Sequence, residues 1–309
     1  MHPFTHRSSE SVAALGEEKL IAAIRRWLGA VSPRAPFGIG DDCAVLPPSR
    51  GEQLITVDPV IYPRHFNDRV QASDVGAKLL KRNLSDLAAM GGRPTAAVLA
   101  LTLAPTVKLA WLEQFYRGLA KCARRYAVPI VGGDIAQADG ALAASLTLLG
   151  EPTGPRTLTR TGGRLGDIIY VTGELGGSLR SGHHFSFQPR LAEGAWLAER
   201  PEVLAMMDVS DGLAKDLHAL TPRGTEPALR AEALPRRRRA NLRAALTDGE
   251  DYELLFVVDR NADLPAFERA WSRKFPRVRL TPVGSFSRQG KRPDWAMTLD
   301  QFHGYEHLR

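Results

Sequence analysis

Apolar residues recur along the first half of the chain with two different periods. Leu20, Ile21, Ile24 and Leu28 follow helical spacing, with Glu17 and Glu18 in the first turn and Arg25 and Arg26 near the end. That charge order complements a helix dipole and predicts a helix over residues 16–28. Val75, Leu79, Leu80, Leu84, Leu87 and Ala88 keep the same period over 71–90, and Gly91-Gly92 closes that helix. A third helix opens at Pro105 and Thr106 with a stripe of Leu112, Phe115, Leu119, Cys122 and Tyr126. Between these lie short runs rich in Val, Ile, Leu and Ala: QLITVD, 95–103, PIVGGD and 141–149, which predict strands. Residues 1–14 show no periodic apolar face and are expected to fray as a leader, taken as 1–15.

In the second half, DIIYVTG predicts a strand that runs into the glycine-rich ELGGSLRSG. A helix is expected over 189–199. MMDVSDGLAKDLHAL reads as a strand end, a tight turn and a helix. Residues 221–239 read as loop, GEDYELLFVVD as a strand, and 267–275 as a last helix. The stretch EPTGPRTLTRTGGRLGD carries two prolines and four glycines, and places a domain boundary near 151–160. The 309 residues then divide into domains at 16–150 and 151–309.

The chain is 44% hydrophobic and 24% charged, the balance of a soluble globular protein. No apolar run approaches the roughly 20 residues that span a bilayer, so no membrane association is expected. The N-terminus has no apolar core of a secretory signal, and two cysteines, Cys43 and Cys122, make no disulfide framework. A reducing, cytoplasmic setting follows. The net charge is +7, but Lys and Arg are scattered, and no nucleic-acid partner is expected. The one basic block, Arg236 to Arg239, reads as a solvated loop or helix face; a milder alternative for the net charge as a whole is that it attracts phosphorylated small molecules.

The informative pattern is the placing of aspartates. Asp41 and Asp42 follow Gly-Ile-Gly, Asp58 ends LITVD, Asp86 lies in NLSDLAAMGG, Asp134 ends IVGGD, and Asp208 and Asp211 bracket a turn. All adjoin apolar or glycine-rich sequence. Carboxylates crowded there without cations would repel or protonate, and Mg2+ with phosphate oxygens resolves that conflict. Each alone has a plain alternative: Asp211 before Gly212 as a helix cap, Asp134 after Gly133 as a turn residue. Asn83 and Asp86 share a helix face that borders the apolar stripe and need a partner, whether a ligand or an internal hydrogen bond. Glycines at 173–177 would let backbone N–H groups approach a phosphate, a weak signal alone. No P-loop, dinucleotide fingerprint or protein-kinase motif is present. His65 has an anion-binding and a packing alternative, and His183-His184 lack metal-ligand spacing.

In order along the chain, GEEKLI, GIGDDCAVL, RHF, NLSDLAAMGGRPTA, VGGD, TRTGGRLGDIIYVTGELGGS, MMDVSDGLAKDL, ALTDGEDYELLF and HGYEHL resemble the thiamine-monophosphate kinases, in the superfamily of aminoimidazole ribonucleotide synthetase and selenophosphate synthetase. The resemblance implies an α+β fold of two domains and a homodimer. The N-terminal domain would contribute a sheet to a shared β-barrel interface, with a C-terminal α/β sandwich domain beside it. It implies ATP, Mg2+ and thiamine monophosphate as ligands, with thiamine diphosphate and ADP as products. Metal ligands carried over are Asp41, Thr56, Asp58, Asp86, Asp134, Asp208 and Asp211, of which Asp86, Asp134 and Asp211 are the expected catalytic positions. Gly133, Asp134, Arg160 and Ser210 match nucleotide contacts; His65, Glu250 and Tyr305 match substrate contacts. The chain departs from the family at Val57, at Pro63 and Arg64 before His65, and at Ile135. Those departures leave two alternatives: a sister ATP-dependent enzyme acting on another small substrate, and a non-catalytic ATP-binding paralogue.

Overall fold

In the computed structural model, which describes residues 2–40, 43–49 and 51–306, helix α1 (Glu17–Leu28) is bounded by Gly16 at φ 71° and Gly29 at φ 59°. Both conformations resist an L side chain, so the glycines set the ends of the helix. The chain divides into two compact units, one of Met1–Leu84 and Pro94–Glu151, the other of Ser85–Arg93 and Pro152–Arg309.

The first unit holds β1 (Leu54–Ile61), α2 (Ala72–Ala89), β2 (Gly92–Leu103), α3 (Leu109–Tyr126), β3 (Ile130–Gln137) and β4 (Leu142–Pro152). From Ser85 onward, α2 counts with the second unit. The sheet order is β1-β4-β2-β3, with β1 antiparallel to β4 and β2 parallel to β3. The predicted stripe of α2 is buried at every position. Gly76 and Gly118 let α2 and α3 meet backbone to backbone: a Cβ at Gly76 would stand 2.1 Å from the Phe115 carbonyl, and one at Gly118 2.0 Å from that of Ser73. Phe66, Trp111 and Phe115 stack in succession beside them.

The N-terminal leader does not fray. The Thr5 N–H donates to Thr106, the Val12 N–H to Val107, and the Lys108 N–H to Pro3, while Val12 is buried. The turn before α3 leaves backbone groups unpaired, and the leader satisfies them as a strand would. Apolar periodicity carries no trace of such pairing.

The second unit adds β5 (Ile168–Thr172), α4 (Ser178–Ser181), α5 (His183–Ser186), α6 (Leu191–Ala198), β6 (Val203–Asp208), α7 (Leu213–Leu220), β7 (Thr225–Leu229), α8 (Leu242–Thr247), β8 (Leu254–Val258), α9 (Leu264–Lys274) and β9 (Leu280–Arg288). Its five strands run β6-β8-β5-β9-β7, antiparallel throughout. The strands alternate between two cores. Leu255 and Val257 join Leu213, Leu217 and Leu246 on one face, whereas Leu254, Phe256 and Val258 join Trp196, Phe267 and Trp271 on the other. The loop expected over 221–239 contains β7, an edge strand whose Pro227 needs no second partner. The strand expected from residue 249 begins only at Leu254, because Glu250 and Tyr252 both take left-handed backbone conformations at φ 53°. No helix among the described residues is long and apolar enough to cross a membrane.

If the close approach of α2 and α3 matters, Gly118→Val will destabilise the protein by about 2 kcal/mol or more. Gly51→Ala, at a position with open space around it, will leave the thermal midpoint unchanged. Equal midpoints for the two variants in calorimetry would refute the packing argument.

Candidate active site

The turn that follows β6 is held from both sides. Beyond Asp208, the Tyr252 N–H donates to the Val209 carbonyl and the Glu250 N–H to that of Ser210, each within 2.8 Å. Gly212, at φ 105°, then lets the chain enter α7. Asp216 on α7 reaches back, and its Oδ2 accepts the N–H groups of Ser210 and Asp211 at 3.0 Å each. Burial pushes the Asp216 carboxyl up to about 7, with Asp211 adding repulsion and the two N–H bonds opposing the shift. Asp208 is buried and accepts the Ser85 hydroxyl at 2.7 Å. Lys215 Nζ lies 2.6 Å from Asp211 Oδ2 and 2.6 Å from the Tyr305 carbonyl, while the Tyr305 N–H donates to Asp211 at 2.8 Å. A Cβ at Gly304 would fall 2.4 Å from the Asp211 carbonyl, so a glycine must sit there. Ser210, Asp211, Glu250 and Tyr305 thus stand side by side, with Asp208 two residues up the chain.

The glycine-rich loop after β5 is occupied by the protein's own carboxylates. The Gly176 N–H donates to both oxygens of Asp251, at 3.0 and 2.9 Å, and the Gly177 N–H donates to Asp248 Oδ2 at 2.8 Å. Ser178 donates its hydroxyl to the Glu250 carbonyl at 2.6 Å. The loop therefore offers these N–H groups to Asp248 and Asp251, not to a phosphate. Beneath it, Arg190 grips Glu253 with two bonds of 2.7 and 2.6 Å, and Thr172 adds a third at 2.7 Å. Gly173 is required here, since a Cβ would lie 2.1 Å from Glu253 Oε1. Burial raises Asp251 to about 6, against the pull of Arg237 and the Gly176 N–H. Burial lowers His183 to about 4, and the Arg237 charge acts in the same direction.

In the first unit, Thr56 and Asp58 share one face of β1, and Arg82 lies 3.1 Å from Asp58 Oδ1. His65 closes the turn after β1: its Nδ1 accepts the Ile61 N–H at 3.0 Å. Gly133 and Asp134 are exposed on β3, opposite Leu99 and Ala100, and a Cβ at Gly133 would strike the Leu99 carbonyl at 2.2 Å. They border a cavity of about 90 Å³ with a mixed lining, to which Glu17, Ile21, Ile24 and Tyr116 also contribute. Because β1 and β3 are opposite edges of the sheet, two strands stand between Asp58 and Asp134. Arg160 is exposed in the segment before β5. Asp86 is half-buried on the last turns of α2, next to Ser85, and Asn83 donates to the Leu79 carbonyl at 2.8 Å. Asp41 and Asp42 lie outside the described residues.

Among the described residues, no three His, Cys, Asp or Glu side chains stand close enough to hold a metal ion together. The donor chemistry nonetheless fits a hard cation. The candidate ligands are all oxygens, Asp58 and Asp211 already have cationic partners, and the Asn83 Oδ1 is a buried acceptor without one. Asp216, Lys215, Asp251 and Glu253 carry the local architecture, and the sequence argument passed over them. The signal was present for Asp216, an acid in the opening turns of a helix, placed to reach back to free N–H groups.

Residues 40–151 match the family described as AIR synthase related protein, N-terminal domain. The thiamine-monophosphate kinase of Rhodopirellula baltica is 38% identical over 248 residues, covering 73% of this chain and 77% of that protein. This chain belongs to the thiamine-monophosphate kinase family. The crystal structure of thiamine-monophosphate kinase from Stenotrophomonas maltophilia K279a superposes with a TM-score of 0.72 at 31% identity, over 89% of this chain and 95% of that one. The structure of AaThiL complexed with AMPPCP and TMP gives a TM-score of 0.67 at 28% identity, over 96% of this chain and 100% of that one. In this family member the GEDYELLF segment is a structural hub: Asp251 and Glu253 point inward, and Glu250 faces the turn at Ser210.

Two outcomes follow. Glu253→Ala leaves Arg190 without its bidentate partner and will lower the unfolding free energy by about 3 kcal/mol in denaturant titration; a loss below about 1 kcal/mol contradicts the assignment. His183 has a folded value near 4 against an ordinary 6.5. Its contribution is therefore intact above pH 6.5 and is lost as pH falls toward 4, because only the unfolded chain takes up that proton. Against His183→Gln, the native protein will lose about 1 kcal/mol of relative stability between pH 7 and 4.5, a figure reduced for the partial exposure of the ring. A constant difference across that range contradicts the burial argument.

Proposed function

We propose that the protein transfers the γ-phosphoryl group of ATP to thiamine monophosphate, giving thiamine diphosphate and ADP by direct in-line displacement. The observation that carries this reading is the relative complexed with AMPPCP and TMP, which matches 96% of this chain. The acceptor is a phosphate monoester oxygen, already ionised at neutral pH, so the chain need supply no general base. Its task is to align two polyanions and to offset their charge. Mg2+, held by Asp208 and Asp211 with Asp86, and by Asp41, Thr56, Asp58 and Asp134, would supply the charge neutralisation between the two phosphates. Asp216 fixes the turn by bonding the Ser210 and Asp211 N–H groups, so Asp211 keeps its direction without reorganisation. Lys215 pairs with Asp211 at 2.6 Å before ligands arrive. Arg160 and His65 provide side-chain contacts to phosphate, and Glu250 and Tyr305 to the thiamine end.

The homodimer belongs to the same reading. On β1, an edge strand, Ile55 is 71% and Val57 60% exposed, with Ile61 on the same face. Apolar side chains on an open edge strand favour pairing with another copy.

Purified protein with ATP, Mg2+ and thiamine monophosphate will yield thiamine diphosphate and ADP. ATP hydrolysis that responds only to another metabolite, or binding without turnover, contradicts the proposal. Asp86→Asn and Asp211→Asn will each cut turnover by about 100-fold or more while circular dichroism stays native; near-normal rates in both would sink the metal assignment. Light scattering will report twice the 33.8 kDa chain mass, falling to one copy in the Ile55→Asp, Val57→Asp double variant. A monomeric native protein would refute the interface.

A further inference from the structure

The basic run at 236–239 exposes Arg236, Arg238 and Arg239, and Arg237 alone turns inward and ties the run to the second unit. Arg236 bridges Leu175, the Arg237 N–H donates to the Leu175 carbonyl at 2.9 Å, and the Leu175 N–H donates to Pro235 at 2.7 Å. Arg237 turns inward to the buried Asp251 at 2.8 Å and to the carbonyls of Glu174 and Gly176. With that anchor set, Arg239 is held at φ 67°, a left-handed conformation that strains a non-glycine residue and persists only where the surroundings impose it.

The result is that Arg239 faces a cavity of about 220 Å³, also lined by Arg180 of α4 and Arg243 of α8. Among the described residues, none of these three guanidinium groups has a carboxylate or carbonyl partner. Asp248, the one acid in the lining, already gives one oxygen to the Gly177 N–H. Three cations around one concavity repel one another, and a multiply charged oxyanion reverses the sign of that energy. Guanidinium forks match phosphate oxygens in geometry as well as charge. The lining holds no aromatic side chain and no apolar one larger than alanine, so it has nothing on which a base or heterocycle would stack. Asn241 already caps α8 by accepting the Ala244 N–H, which leaves recognition to side chains.

We propose that this cavity binds a compact oligophosphate, of which pyrophosphate is the smallest member, through Arg180, Arg239 and Arg243. The assignment does not depend on the transfer reaction proposed above. The test is calorimetric titration of the full chain with inorganic pyrophosphate, in chelator and without Mg2+ or nucleotide. One saturable site is expected. Arg239→Asn with Arg243→Ala will weaken it about tenfold or more, asparagine being chosen because it tolerates the backbone at 239. Arg160→Ala, at the expected nucleotide contact, and Arg236→Ala, outside the lining, will leave the affinity within about twofold. The double variant will keep its thermal midpoint, since neither side chain has a partner to lose. No saturable binding to the native protein, equal affinity in the double variant, or loss of binding in Arg160→Ala would each overturn the site.

Discussion

The second unit depends on how its buried carboxylates are satisfied. Asp208, Asp216, Asp251 and Glu253 are all buried, and each has partners inside the fold: the Ser85 hydroxyl, two backbone N–H groups, Arg237 with the Gly176 N–H, and Arg190 with Thr172. A buried carboxylate without such partners costs several kcal/mol, so these contacts decide which backbone shapes are permitted. The left-handed backbone at Glu250 and Tyr252 follows from them. It lets alternate residues of one short segment face the glycine loop, the core and the turn at Ser210.

Two kinds of acid result. Asp216, Asp251 and Glu253 face inward and shape the backbone. Asp58 and Asp211 stand nearer the surface, and they meet the cations Arg82 and Lys215. A cationic partner near the surface is exchangeable for a divalent ion, whereas a bidentate buried pair is not. That difference separates acids suited to ligand binding from acids that belong to the architecture, although both occur within the same motifs.

Local periodicity was a sound guide where burial alone decides structure. Residues 16–28 and 71–90 became α1 and α2 to within a residue or so, because their stripes face a core. It failed where backbone pairing decides. The leader pairs with residues 106–108 and β7 pairs with β9, yet neither shows a strong apolar alternation. The glycine loop misled for another reason: its N–H groups are free in the sequence but meet Asp248 and Asp251 from more than seventy positions away. Glu250 beside Ser210, and Tyr305 beside Asp211, likewise rest on backbone bonds between segments far apart in sequence. The family resemblance named these residues, and spacing could not have brought them together. In the basic run at 236–239, Arg236, Arg238 and Arg239 are exposed, as a solvated face requires, and charge composition does not tell the inward Arg237 from them.

The central claim is that the turn from Asp208 to Asp211 is set before ligands bind, with Asp216 fixing its backbone and Lys215 occupying Asp211 until a cation arrives. A crystal structure of this chain with AMPPCP, Mg2+ and thiamine monophosphate tests it most directly. In the expected complex Asp216 still accepts the Ser210 and Asp211 N–H groups, while Asp211 has exchanged Lys215 for metal. A turn rebuilt with Asp216 released, or an Asp211 still paired to Lys215 with metal bound elsewhere, would contradict it.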